Sequence, residues 1–202
     1  MPGINHRFFY DFVRTQLFGG ALSGAQVQGM QALLDYWAAH HARQDDRWLA
    51  YLLATAYHET DRKMQPIREY GSAAYFNQRY GPGGSNPTLA KALGNNQPGD
   101  GARFCGRGFV QLTGRRNYAD WSQRLGVDLL AAPDLAQDLP NAVRILVEGS
   151  VLGTFTGKKL ATYFTPAKAD WRNARRIING VDKADLIAGH ARNFYAAISY
   201  TV

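Results

Sequence analysis

The sequence predicts a mainly α-helical fold with a small β element near mid-chain, and three observations carry that expectation. Apolar residues recur at intervals of three and four along most of the chain. Polar capping residues, glycine pairs and prolines fall where those stretches should begin and end. Only Arg103–Thr113 breaks the rhythm, with Phe104, Phe109, Val110, Leu112 and Thr113 punctuated by Gly106 and Gly108, as in a short β-hairpin or extended pair.

In chain order, Phe8, Phe9, Phe12, Val13 and Leu17 form a helical stripe that Gly19-Gly20 stops. Ser23 is placed to cap a second helix with the stripe Val27, Met30, Leu33, Leu34 and Trp37. Asp45 or Asp46 should cap a third, running through Trp48, Leu49, Leu52, Leu53 and Ala56 to Tyr57-His58-Glu59, with helical character ending near Gln65 ahead of Pro66. Gly81–Gly101, rich in Gly, Pro and Asn, reads as a surface loop with a helical piece around Leu89–Leu93. Helical patterns return at Asn117–Leu125, Asn141–Leu152, Gly157–Phe164, Asp170–Ile178 and Ala184–Ile198. No repeat and no linker divides the 202 residues, so one domain spanning 1–202 is expected, with no separate second domain.

Composition narrows the function classes. With 46% hydrophobic and 12% aromatic residues the chain can build a core, which excludes whole-chain disorder. No apolar run reaches the roughly 18–20 residues that span a bilayer, and Met1–Arg7 leads into Phe8-Phe9-Tyr10-Asp11 without a secretory pattern. The single Cys105 cannot form an internal disulfide, which suits a reducing compartment. The net charge is +7, and from Ala142 onward nine Lys and Arg face four acids, so the excess is concentrated in the last 61 residues. That favours a polyanionic partner, whether nucleic acid, membrane face or anionic cell wall.

Glutamate is scarce. There are three, Glu59, Glu69 and Glu148, and two of them lie ten residues apart. Partial burial of Glu59 at the end of an apolar helix would raise its pKa, as a general acid requires, although a solvated helix-end Glu gives the same sequence. A continuous helix would separate the two carboxylates by roughly 15 Å, but Pro66 breaks it and a loop can return Glu69. Two facing carboxylates are the minimal equipment for glycoside hydrolysis. Salt bridges from Glu69 to Arg62, Lys63 or Arg68 remain the alternative.

His58-Glu59-Thr60, Glu69, the run Gly106-Arg107-Gly108-Phe109-Val110-Gln111-Leu112-Thr113-Gly114-Arg115-Arg116-Asn117-Tyr118, and Ile177-Ile178-Asn179-Gly180 together resemble glycoside hydrolase family 19. That family includes chitinases and lysozyme-like phage endolysins. Gln97–Gly101 and Phe155–Leu160 resemble its phage and prophage members, so the likeness covers most of the chain. The resemblance implies a lysozyme-like domain of two helical lobes with a β-hairpin beside the cleft. It implies inversion, with Glu59 as general acid, Glu69 as the base that activates water, and Thr113 where chitinases use a Ser to hold that water. Gln111, Asn117, Tyr118 and Asn179 fall at substrate-cleft positions, and Arg107 matches a buried or cleft arginine. Absence of the disulfides and longer loops of plant chitinases favours the endolysin branch.

The residues fit these roles. Gly106 and Gly108 let backbone approach a sugar, and strand alternation would put Gln111 and Thr113 on one face with Val110 and Leu112 on the other. Tyr57, Tyr70, Tyr75, Phe76 and Tyr80 supply aromatic surface, most of it expected in the core. Other motifs fail: Arg62 stands where a zinc HExxH needs its second His, the five His and one Cys lack metal-ligand spacing, and Gly153–Lys159 is one residue short of a P-loop. Neither metal nor organic cofactor is expected.

Arg172, Arg175 and Arg176 read as one basic helix face, suited to an anionic envelope or simply solvated, with no nucleic-acid module around it. The expected function is endolysin-type cleavage of β-1,4 bonds between amino sugars of bacterial peptidoglycan. The alternatives are a chitinase or a non-catalytic wall-polysaccharide-binding module. A monomer is expected, made in a bacterial cytoplasm without signal peptide, that acts on the wall after release, for instance through a holin, and binds no nucleic acid.

Overall fold

A computed structural model of the chain describes residues 3–199. Met1 and Pro2, part of the stretch read above for a leader, and residues 200–202 lie outside the described residues. The elements in order are α1 (His6–Gln16), α2 (Gly24–His40), α3 (Asp46–Glu59), β1 (Ile67–Arg68), α4 (Ala73–Tyr80), α5 (Pro87–Leu93), α6 (Asp100–Arg103), β2 (Arg107–Gly108), α7 (Arg115–Leu125), α8 (Leu139–Leu152), α9 (Leu160–Tyr163), β3 (Phe164–Thr165), β4 (Lys168–Ala169) and α10 (Ala184–Ile198). Short 3-10 turns lie at Pro133–Gln137 and Asn173–Ile177. The chain divides into two compact units, one formed by Met1–Gln65 with Leu146–Val202 and the other by Pro66–Ile145, with the boundary inside α8.

The first unit is helix packed on helix. Asn5 caps α1 through a bond from the Phe8 N–H, and Ser23 with Gln26 forms a reciprocal capping box on α2. Asp45, one of the two candidates, caps α3. Helix α10 runs over the predicted residues and packs most extensively against α3, with α1 beside it. Phe9, Met30, Leu33, Leu49, Leu53 and Phe194 are all fully buried in this unit. Each such side chain contributes about 1.5–3 kcal/mol of transfer free energy.

Helix α3 ends at Glu59, six residues before the expected stop. Thr60 ends it, donating its hydroxyl to the Ala56 carbonyl at 2.7 Å and accepting from the Met64 N–H at 3.0 Å. Asp61, Arg62 and Met64 then take left-handed backbone, with φ of 48°, 64° and 53°. Such residues persist where neighbours over-determine them. Here Gln26 Nε2 donates to the Arg62 carbonyl and Gln65 Nε2 to the Ala25 carbonyl. Met64 is buried, and a Cβ on Gly29 would fall 1.6 Å from its carbonyl oxygen, so only glycine allows this approach.

Two further expectations for this unit change. The Gly157–Phe164 pattern gives only one helical turn before the hairpin of β3 and β4, in which Phe164 pairs with Ala169 and Thr165 with Lys168. The expected helix at Asp170–Ile178 is the 3-10 turn Asn173–Ile177. Arg172, Arg175 and Arg176 therefore do not form one basic face. Arg172 pairs with Asp185 at 3.1 Å, Arg176 is exposed, and Arg175 is buried.

In the second unit, β1 and β2 are antiparallel, with Ile67 opposite Gly108 and Arg68 opposite Arg107. The hairpin expected at Arg103–Thr113 shrinks to one bridge, Arg107 to Leu112, because Arg103 belongs to α6 and the main partner of β2 is β1. Gln111 has φ 54°, so the tight loop replaces the strand alternation expected at Val110–Thr113. Helix α4 had no counterpart among the helices expected from the sequence. Ser72 caps it, and its Phe76 and Tyr80 rings stack at 6.4 Å in a cluster with Cys105.

Candidate active site

Glu59 and its surroundings lie in the first unit. As the last residue of α3 it keeps 18% of its side chain exposed, and it pairs with Arg175, whose side chain is 5% exposed. Arg175 Nη1 donates to Glu59 Oε1, and its Nε donates to the Asp182 carbonyl at 3.2 Å. The guanidinium thus ties the helix end to the 3-10 turn and to the loop that follows. Burial holds His58 below the usual imidazole range, with Glu59 opposing and Arg175 adding to the shift. Tyr51, two helical turns before Glu59 on α3, is buried with an unpartnered hydroxyl, and burial pushes its phenol well up. Asn179 lies four residues beyond Arg175 and is exposed, with its N–H donating to the Arg175 carbonyl at 3.1 Å. Its side-chain oxygen accepts from the Gly180 N–H at 2.8 Å.

Glu69 lies in the second unit, immediately after β1. Its N–H donates to the Gly106 carbonyl at 2.8 Å, which extends the β1–β2 ladder by one step. Its carboxylate accepts from the Tyr80 hydroxyl at 2.8 Å and from the Gly106 N–H at 3.2 Å. Burial, then the hydrogen bond to Glu69, pushes the Tyr80 phenol well above its usual value, so Tyr80 remains a donor. Gly106 is tightly packed: a Cβ there would meet Gln111 Oε1 at 2.7 Å and Glu69 Oε2 at 3.2 Å, so neighbours would have to move. Gln111 Nε2 in turn donates to the Ile67 and Gly108 carbonyls, both at 3.3 Å. Arg68, offered above as a salt-bridge partner of Glu69, instead donates Nε to Cys105 Sγ at 3.4 Å.

The remaining predicted residues divide by burial. Thr113 is half-buried and donates its hydroxyl to the Gln111 carbonyl at 2.8 Å, while Asn117, also half-buried, donates Nδ2 to the Thr113 carbonyl at 2.7 Å. Gln111, Thr113 and Asn117 are thus linked through main-chain carbonyls in the second unit, with Gln111 and Glu69 both close to Gly106. Tyr118 departs from the expectation of a sugar contact. It is 0% exposed, and its hydroxyl donates to the Cys105 carbonyl at 2.8 Å and accepts from Arg107 Nη1 at 2.9 Å. Arg107, 4% exposed, also pairs with Asp134 and bonds the Arg103 and Cys105 carbonyls, so it clasps the loop rather than presenting itself to a sugar. Of the aromatics, Tyr57, Phe76 and Tyr80 are buried, whereas Tyr70 and Tyr75 are exposed.

Arg175 and Tyr80, which hold the two glutamates, were not singled out for those roles by the sequence. Among the described residues, no group of three His, Cys, Asp or Glu is placed to hold a metal ion, and no helix is long and apolar enough to cross a membrane.

The family model for chitinase class I, glycoside hydrolase family 19, matches residues 23–144. The chain belongs to glycoside hydrolase family 19. A glycosyl hydrolase family 19 domain-containing protein of Haemophilus influenzae is 38% identical over 65 residues, a match that spans 31% of this chain and 32% of that relative. Among solved structures, chitinase C from Streptomyces griseus HUT6037 is 19% identical with a TM-score of 0.60, covering 98% of this chain and 77% of that one. A bacterial family 19 chitinase, also 19% identical, has a TM-score of 0.58 and coverage of 97% and 95%. These two likenesses bear out the mainly α fold with small antiparallel strand pairs.

Proposed function

We propose that this chain hydrolyses β-1,4 bonds between amino sugars of bacterial peptidoglycan by inversion. Glu59 protonates the leaving oxygen and Glu69 activates the attacking water. The observation that carries this reading is the different restraint on each carboxylate: Glu59 sits against a buried guanidinium, while Glu69 is oriented by a phenol and a backbone N–H. Inversion requires room for a water beside the base. The net charge of +7 supports an anionic wall as the substrate.

A second reading, hydrolysis of chitin, is favoured by the description of the matching family model and by the two chitinase structures. Digesting purified peptidoglycan and N-acetylglucosamine oligomers side by side, with mass analysis and NMR of the first-formed anomer, separates the two. Peptidoglycan fragments of inverted configuration are expected. Glu59→Gln should abolish them in a variant that still folds, with a melting loss of a few degrees because the buried Arg175 loses its counter-charge. Turnover of chitin oligomers alone would move the substrate assignment, and a retained anomer would remove Glu69 as base.

A further inference from the structure

The second unit contains a pocket of about 620 Å³ whose lining includes Arg68, Arg103, Arg107 and Arg115 together with Asp100 and Asp134. Its lining includes neither Glu69 nor Gly106. Consecutive residues of a strand point to opposite faces, so Arg68 and Arg107 turn away from the side taken by Glu69 and Gly106. The pocket is therefore separate from the carboxylate neighbourhood described above.

Four guanidinium groups face two carboxylates, a surplus of two positive charges that persists at any physiological pH. Asp100 is buried and takes a two-point bond from Arg115, whereas Asp134 has an exposed side chain paired with Arg107. Among the described residues, the protein bonds of these arginines use Nε of Arg68, Nη2 of Arg103, Nε and Nη1 of Arg107, and Nε and Nη2 of Arg115. Each arginine thus keeps at least one N–H-bearing nitrogen uncommitted. The Phe104 ring lies under two of them, with Arg115 at 4.8 Å and Arg103 at 5.7 Å from its centroid, which limits their freedom.

We infer that this pocket binds a dianionic phosphate group. A phosphate carries about two negative charges near neutral pH and offers several acceptor oxygens, matching the surplus charge and the spare donors. A lone carboxylate would leave one charge and several donors unmatched. The volume leaves space for a sugar or other small group esterified to the phosphate.

The test is calorimetric titration of the intact protein with inorganic phosphate at constant ionic strength, with acetate as comparison. The variant is Arg68→Gln with Arg103→Gln, because both side chains are exposed and replacing them leaves the Arg107 and Arg115 pairs in place. Saturable one-site binding is expected, weakened about tenfold or more in the double variant as charge-assisted bonds are lost. Unchanged melting of that variant would attribute the loss to the pocket. No saturable heat, equal affinity in the variant, or acetate binding as tightly as phosphate would each overturn the assignment. A phosphosugar binding more tightly than free phosphate would identify an esterified ligand, and the reverse order would identify the free anion.

Discussion

Replacing Gly106 by alanine separates the placement of Glu69 from the stability of the fold. The added carbon would stand 2.7 Å from Gln111 Oε1 and 3.2 Å from Glu69 Oε2, against ordinary non-bonded separations of about 3.5 Å. These two atoms are the far ends of side chains and can yield, whereas Gln111 Cβ, also at 3.2 Å, can shift only with its loop. Gln111 gives up two bonds of 3.3 Å, which are long and weak, and Glu69 is pushed off the Gly106 N–H. The fold should lose about 1 kcal/mol, partly offset by the lower entropy of the unfolded alanine chain. For a chain of this length that is a melting shift of about 2–4 °C. Catalysis should suffer more, because a misplacement of about 1 Å can cost 10²-fold. A fall in kcat of about ten- to hundredfold with little change in KM is expected, measured on soluble amino-sugar oligomers beside thermal melts. A kcat within twofold of the parent would refute the claim that this space positions Glu69. A melting loss above about 10 °C would show that Gly106 serves the fold instead.

Tyr80→Phe removes the phenolic donor to Glu69 and should lower kcat by about tenfold, with the ring packing on Phe76 retained; steady-state kinetics and melts check both parts. Arg175→Leu leaves the partly buried Glu59 carboxylate without its partner and should destabilise the protein by about 2–3 kcal/mol, read as a melting loss of several degrees. Asp100 supplies a pH test. Burial would raise its pKa, but bonds from Arg115 and from the Gln97 and Asn96 N–H groups hold it below the usual carboxylate range. A depressed folded pKa gives stability that is present above the unfolded value near 3.9 and lost as pH falls through the folded value. The stability gap between the parent and Arg115→Gln should therefore be largest above about pH 5 and should narrow toward pH 2 in acid-titrated melts.

Local signals were legible in the sequence wherever the deciding partner is close along the chain. Ser23 and Gln26 are three residues apart, so that cap could be read directly, whereas Asp45 and Asp46 are equal candidates for α3 until the bond from the Arg47 N–H selects Asp45. The stripe of α10 carried its own boundaries. What escaped depended on distant or irregular contacts. The Glu59–Arg175 pair joins residues 116 positions apart, and the 3-10 turn around Arg175 replaced the α-helical spacing that suggested a basic face. Helix α4 is only eight residues long, too short for periodicity to distinguish it from an aromatic loop. The family resemblance puts Tyr118 in the cleft, whereas its ring is buried and its hydroxyl is bound to Arg107 and the Cys105 carbonyl. Motif order points to Glu59 and Glu69, whereas the groups that hold them, Arg175 and Tyr80, emerge only from the structure.

The division of the first unit between two stretches of chain has a consequence during synthesis. Pro66–Ile145 is one uninterrupted stretch, so the ribosome can release all the parts of the second unit before the first is complete. Helix α3, with an apolar surface that α10 covers, leaves the exit tunnel well before α10 is translated. Until then Glu59 also lacks Arg175. The nascent chain thus carries an unfinished helical layer through most of its translation, and chaperone demand should be concentrated in that interval.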